Sequence, residues 1–166
     1  MKKLTEIEWR LLQNGAINLY KDETIFEEDC KSLKKVGYKV FHINCDSILT
    51  FTTDITNALD WENQFGYSPW RGNLDALNDA MRDTTLGNKG KLSLACRNFH
   101  KLVKADKNMA IKFLHLLEYN SRNHLLEDCL FIGLIQTRNP RFDAENLGNR
   151  SANWNSKEWF HKDRGI

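Results

Sequence analysis

The chain has 166 residues, of which 41% are hydrophobic and 28% charged, and its net charge is +2. This composition is typical of a globular protein and excludes a chain that is disordered throughout. No apolar run approaches the ~20 residues of a membrane-spanning helix, and no apolar stretch follows the basic start as it would in a signal peptide. We therefore expect a cytoplasmic protein whose four cysteines, which contain no CxxC pair, form no disulfide framework.

The N-terminal segment, residues 1–37, carries two helical patterns and one apolar run. A short helix is predicted over residues 5–13, and residues 16–20 can form a short strand. Apolar side chains recur at helical spacing over residues 25–35, and Gly37 is well placed to end that helix. We interpret this segment as an extension that precedes the main domain.

The main domain, residues 38–137, alternates between strand and helix patterns. The predicted strands are 38–44, 91–99 and 130–136, and the predicted helices start at Thr53, Asn73 and Asn108, with a loop over 63–71. Alternation of this kind favours an α/β fold with parallel strand pairs. We predict a small three-stranded parallel sheet packed with helices. The polar segment 138–166 forms a C-terminal extension, either docked or loose, and its Trp154 and Trp159 favour docking.

The helix predicted over residues 73–83 is the most informative element. Asn73 follows a Pro-Trp-Arg-Gly turn and is a good helix N-cap, because its side-chain oxygen can accept a free backbone N–H. Asp75, Asp79 and Asp83 follow at intervals of four and line one face. Like charges at this spacing repel by a few tenths of a kcal/mol per pair. The stripe is therefore either an ordinary solvated face or a surface for a basic partner.

The charge is distributed unevenly along the chain. Residues 45–86 contain seven acidic and two basic side chains, a net charge of −5, whereas residues 87–128 contain eight basic and four acidic ones, a net charge of +4. The field around the 73–83 helix should therefore be negative. The basic region, with lysines at 89, 91, 101, 104 and 107 and Arg97, offers an alternative function as a nucleic-acid-binding module. Its few interleaved aromatic residues make a solvated face the simpler interpretation.

Residues 70–79, Trp-Arg-Gly-Asn-Leu-Asp-Ala-Leu-Asn-Asp, resemble the barstar family of ribonuclease inhibitors. Residues 40–46 look like the first strand of that family, and 92–99, with Arg97 and Phe99, like its second strand. The likeness covers about residues 38–137. It implies a barstar-like fold and an inhibitor without catalytic activity, whose acidic helix and preceding loop enter a ribonuclease active site.

Position by position, the resemblance implies toxin-binding roles for Trp70, Gly72, Asn73, Asp75, Ala76, Asn78 and Asp79, and Asp83 joins them because it shares the acidic face. Asn78 stands where barstar has a tryptophan. Gly72 lies one residue closer to Asn73 than the corresponding glycine does in the family. Glu118 is a candidate for the acidic residue that family members use on a later helix.

The partner that the resemblance implies is a cognate ribonuclease-type toxin, bound one to one by a monomer. Toxin–antitoxin and contact-dependent growth inhibition systems are the settings in which such immunity proteins occur. We expect no cofactor, no metal, no membrane contact and no direct binding of nucleic acid. The N-terminal and C-terminal extensions suggest a specialised partner.

Other candidate sites are weaker. His42, Cys45, Cys96 and His100 have ligand types that suit zinc, but His42 and Cys45 should point to opposite faces of a strand. Cys96 and His100 as a nucleophile and base lack a third orienting group. An enzyme is therefore poorly supported. Trp61 and Trp70 flank the loop and are either core residues or exposed anchors for a partner.

Overall fold

A parallel sheet of five strands forms the centre of the fold, in a computed structural model that describes residues 3–84, 90–148 and 150–159. The strands are β1 (Ile17–Tyr20), β2 (Lys39–Asn44), β3 (Lys91–Arg97), β4 (Leu130–Gln136) and β5 (Asn153–Trp154). Their order across the sheet is β2-β3-β4-β1-β5, and every neighbouring pair is parallel. β4 lies at the centre and is buried along its whole length. This agrees with its near-continuous apolar sequence.

Helices cover both faces of the sheet. They are α1 (Glu6–Leu12), α2 (Glu23–Lys35), α3 (Ile48–Ala58), α4 (Trp61–Phe65), α5 (Leu74–Asp83), α6 (Phe99–Ala105) and α7 (Lys107–Leu125). On one face, Phe26 and Leu33 of α2 pack with Ile132 and Leu134 of β4. Leu11 of α1 joins the same cluster. The helices α3 to α7 share a larger core on the other face. None of the helices in the described ranges is both long and apolar enough to cross a membrane.

The prediction of a three-stranded sheet was wrong, because a strand from each extension joins the central three. β1 pairs with β4, with Ile17 opposite Gly133, and it is buried along its full length. The pairing thus closes the backbone edge of β4 that three strands would leave open. β5 adds residues 153–154 beside β1. A strand of two residues is too short to produce an alternating pattern.

The predicted elements are otherwise present, and several of them have different ends. The helix predicted to start at Thr53 begins at Ile48, because Ser47 and Thr50 form a capping box in which each side chain accepts the backbone N–H of the other residue. The predicted loop 63–71 overlaps the short helix α4. The acidic helix, α5, has the predicted extent, and α7 begins at Lys107, one residue before the predicted start.

The C-terminal segment is docked, as its two tryptophans predicted. Glu158 is buried, and its carboxylate accepts hydrogen bonds from the backbone N–H groups of Lys21 at 3.1 Å and Asp22 at 2.9 Å. The Trp159 indole N–H donates to the Trp154 carbonyl oxygen at 2.7 Å. These bonds attach the segment to the start of α2 and to itself.

Candidate functional site

Helix α5 packs through one face and presents the opposite face to solvent. Leu77, Ala80 and Met81 are fully buried in the larger core. The Asn73 side-chain oxygen accepts the Ala76 backbone N–H at 3.0 Å, which is the cap expected from the sequence. The helix therefore starts at a defined position and holds its acidic face on a rigid support.

The three aspartates of this face have different surroundings. Arg82 Nη1 lies 3.1 Å from Asp79 Oδ1, and Arg82 Nε lies 3.0 Å from Asp83 Oδ1. Asp75 is exposed and makes no hydrogen bond or ion pair with any residue in the described ranges. It also lies in the first turn, where the helix dipole favours a negative charge. Asp75 is thus the most available carboxylate of the stripe.

Arg82 acts as a counter-ion within the stripe. A count of charges along the sequence does not show that Arg82 contacts the aspartates. Its hydrogen bond to the Asp83 carboxylate lowers the pKa of Asp83, and the same contact raises the pKa of Arg82. The side chains of Arg82, Asp79 and Asp83 are each about half exposed, at 55%, 48% and 58%. Solvent screens such pairs, so they contribute little to stability and can be exchanged for contacts with a partner.

Trp70 supports the loop before α5 from inside the core and is not an exposed anchor. Its ring is buried and packs edge-to-face on Phe51, with 6.1 Å between ring centroids. Its backbone N–H donates to Thr56 Oγ1 at 2.9 Å, and its indole N–H donates to the Asn73 carbonyl oxygen at 2.8 Å. Trp61 is buried as well. Trp70 therefore joins the loop, helix α3 and the cap of α5.

The exposed part of this loop lies beside the start of the acidic helix. Tyr67 is 40% exposed, and the Arg71 guanidinium lies 5.9 Å from the centre of its ring. Gly72 has φ +91°, a left-handed conformation that strains other residues, and the space around it is open. The glycine directly before Asn73 is thus required by the backbone. Tyr67 was not among the predicted site residues, although aromatic residues are enriched at protein interfaces.

Asn78 and Ala76 both contact the rest of the protein: Asn78 contacts α7, and Ala76 contacts the core. The Asn78 side-chain oxygen accepts a hydrogen bond from the Asn120 side-chain amide at 2.9 Å, which ties α5 to α7. Ala76 is partly buried and packs against the core. Asn78 thus has a structural partner at the position where barstar has a tryptophan.

Glu118 does not join this surface. It is buried on α7, and its carboxylate accepts the Ala16 backbone N–H at 2.8 Å. This buried hydrogen bond therefore holds the residue that precedes β1. The sequence alone could not show this, because the contact joins positions that are 102 residues apart.

The cysteines and histidines considered as a zinc site lie on opposite faces of the sheet. Cys45 and Cys96 lie in the larger core, whereas His42 lies beside Cys30 of α2 on the other face. This agrees with the expected alternation of His42 and Cys45. His100 Nδ1 accepts the Arg138 backbone N–H at 3.2 Å.

Several side chains of the basic region are paired with carboxylates. The pairs are Lys91 with Glu8 at 2.5 Å, Lys101 with Asp46 at 2.6 Å, and Arg97 with Glu27. Lys89 lies outside the described residues. Because these three charges are already compensated, they are less available to a polyanion than the sequence suggested.

The acidic helix and its loop lie inside a segment that matches a known protein family. Residues 38–132, more than half of the chain, match the family model described as Barstar (barnase inhibitor). The search of curated proteins and the search of solved structures gave no match. The family match confirms the resemblance of residues 70–79, and it includes β2, β3, all of α5 and the loop before it. The chain therefore belongs to the barstar family.

Proposed function

We propose that the protein is an immunity protein that binds a cognate bacterial toxin of the ribonuclease type and covers its active site with α5 and the preceding loop. The family, described as barnase inhibitor, supports the class of partner. The observation that carries the mechanism is Asp75, an exposed carboxylate without a partner among the described residues, on the first turn of a capped and well-packed helix.

The charge of the target explains why such a surface would bind it. A ribonuclease holds a polyanionic substrate with Lys, Arg and His, so carboxylates can take the place of its phosphates through charge-assisted hydrogen bonds. A negative field around α5 would also accelerate association with a positive cleft. The barnase–barstar pair is a well-known example of this electrostatic complementarity.

Rigidity is the second physical requirement, because ordering a loop on binding reduces affinity. Three contacts hold the proposed surface in place: the Asn73 cap, the Trp70 indole bond to the Asn73 carbonyl, and the Asn78–Asn120 bond to α7. The first contact caps α5, the second joins the cap to the loop, and the third joins α5 to α7. These contacts support a surface that is ordered before the toxin binds.

The proposed site residues either contact the toxin or hold the contact surface in place. We assign direct contact to Asp75 and Asp79, with Asp83 at the margin, and Ala76 permits close approach because its side chain is small. Trp70 and Gly72 determine the path of the loop. Asn73 caps the start of α5, and Asn78 ties the helix to α7. Formation of the complex would require Arg82 to release Asp79 or to share it with a cation of the enzyme.

The proposed complex contains one immunity protein and one toxin, acts in the cytoplasm and needs no cofactor. Its direct test isolates the toxin by pull-down from the native cell and titrates that toxin with the protein in an RNA-cleavage assay. We expect cleavage to stop at one equivalent. Full cleavage at excess protein, or tight and salt-sensitive binding of the RNA by the protein alone, would contradict the proposal.

A further inference from the structure

Three side chains with metal-binding atoms meet between α2 and the edge strand β2, on the opposite face of the sheet from α5. Glu27 and Cys30 are three residues apart on α2 and therefore share a face. His42 projects from β2 toward them. One carboxylate oxygen, the Cys30 sulfur and one imidazole nitrogen all lie within 4.8 Å of one another.

These separations are close to those of a metal site. A tetrahedral ion with zinc bond lengths places its ligand atoms about 3.3–3.8 Å apart, so small rotamer changes would complete the geometry. Thiolate, imidazole and carboxylate together suit zinc, whereas magnesium and calcium prefer oxygen ligands alone. We propose that Glu27, Cys30 and His42 bind a Zn²⁺ ion whose fourth position is taken by water.

The surroundings of the three ligands favour metal binding in some respects and oppose it in others. Arg97 forms an ion pair with Glu27, and a second-shell bond of this kind orients a ligating carboxylate. His42 offers an imidazole nitrogen, which is the commonest metal ligand in proteins. Burial raises the pKa of Cys30 to about 12, so the ion must displace the thiol proton.

Two of the three ligands are accessible from solvent. His42 is exposed, and Glu27 is about one third exposed. A surface groove of about 350 Å³ lies beside Glu27, and a second of similar volume lies beside His42, with Arg97 on the wall of both. Cys30 closes the site from below, since it is buried. An ion can therefore reach Glu27 and His42 from solvent.

The test uses the full chain without a polyhistidine tag and two metal probes. Zn²⁺ is titrated by calorimetry, and Co²⁺ is followed by absorption, because a thiolate ligand produces a near-ultraviolet charge-transfer band. We expect one ion per chain and a higher melting temperature in the presence of Zn²⁺. His42→Gln should weaken binding at least about 10-fold, and Cys30→Ser should abolish the cobalt band.

Matched variants distinguish this site from adventitious binding. His115→Gln and Cys129→Ser change the same residue types elsewhere and should leave both titrations unchanged. His42 is exposed, so His42→Gln remains informative even if Cys30→Ser reduces stability. The absence of a cobalt band, its persistence in Cys30→Ser, or equal Zn²⁺ affinity of His42→Gln and His115→Gln would overturn the proposal. No toxin is needed, so the result is independent of the inhibitory function.

Discussion

The indole N–H of Trp70 donates a 2.8 Å hydrogen bond to the carbonyl oxygen of Asn73, so a buried core residue holds the cap of the acidic helix. Removing this donor while keeping an aromatic ring tests the connection. Trp70→Phe should lower the free energy of unfolding by about 1–3 kcal/mol, through the lost bond and the smaller ring. Urea unfolding followed by circular dichroism measures this loss.

The same variant should also weaken toxin binding, because the loop before α5 would be less ordered in the free protein. Trp9→Phe is the matched control, since Trp9 is 62% exposed and should change neither quantity. Equal unfolding midpoints for Trp70→Phe and the wild type would show that the indole bond does not hold the cap.

Arg82 reduces the negative field of the proposed contact surface. Arg82→Gln should therefore increase the association rate with the toxin by about 2- to 5-fold at low salt, and the gain should shrink as salt screens the field. Stopped-flow mixing at two ionic strengths measures this effect. Lys31→Gln makes the same charge change on α2, across the sheet, and should have a smaller effect. Slower association of Arg82→Gln would indicate that Arg82 itself contacts the toxin.

Glu8 should make the free energy of unfolding depend on pH. Burial acts to raise the pKa of Glu8, but hydrogen bonds from Lys91 and Thr5 outweigh it and lower the pKa below the ordinary 4.5. A carboxylate with a lowered pKa in the folded state stabilises the protein above pH 4.5, and this contribution is lost as pH falls through the folded value.

Glu8→Gln keeps the shape of the side chain and removes its titration. The variant should be less stable than the wild type by roughly 2 kcal/mol at pH 7, and the difference should shrink in acid below the ordinary pKa. Urea unfolding of both proteins over this pH range gives the comparison. A difference that stayed constant with pH would show that Glu8 does not titrate with folding.

Local signals account for the parts of the fold that were predicted correctly. The Asn73 cap and the spacing of Leu77 and Met81 were sufficient to locate α5, because capping and burial of a helix face act within a few residues. The start of α3 was missed because it depends on the capping box that Ser47 forms with Thr50. β5 has only two residues and exists because β1 is there to pair with it.

The candidate site was predictable in its backbone but not in its side-chain partners. The Asp75 face follows from helical periodicity. The Arg82 contacts depend on the rotamers that three flexible side chains select together, and the core position of Trp70 depends on packing against α3. The meeting of Glu27 and Cys30 with His42 depends on strand order, which a single sequence does not reveal.

Asp75 provides the most direct test of the central claim. The dissociation constant of the toxin complex would be measured for the wild type, Asp75→Ala and Glu28→Ala, an equal charge change on α2. We predict that Asp75→Ala weakens binding by about 2 kcal/mol or more, roughly 30-fold, with an unchanged unfolding midpoint, and that Glu28→Ala binds like the wild type. Wild-type affinity of a folded Asp75→Ala would contradict the proposal that the acidic helix blocks the toxin.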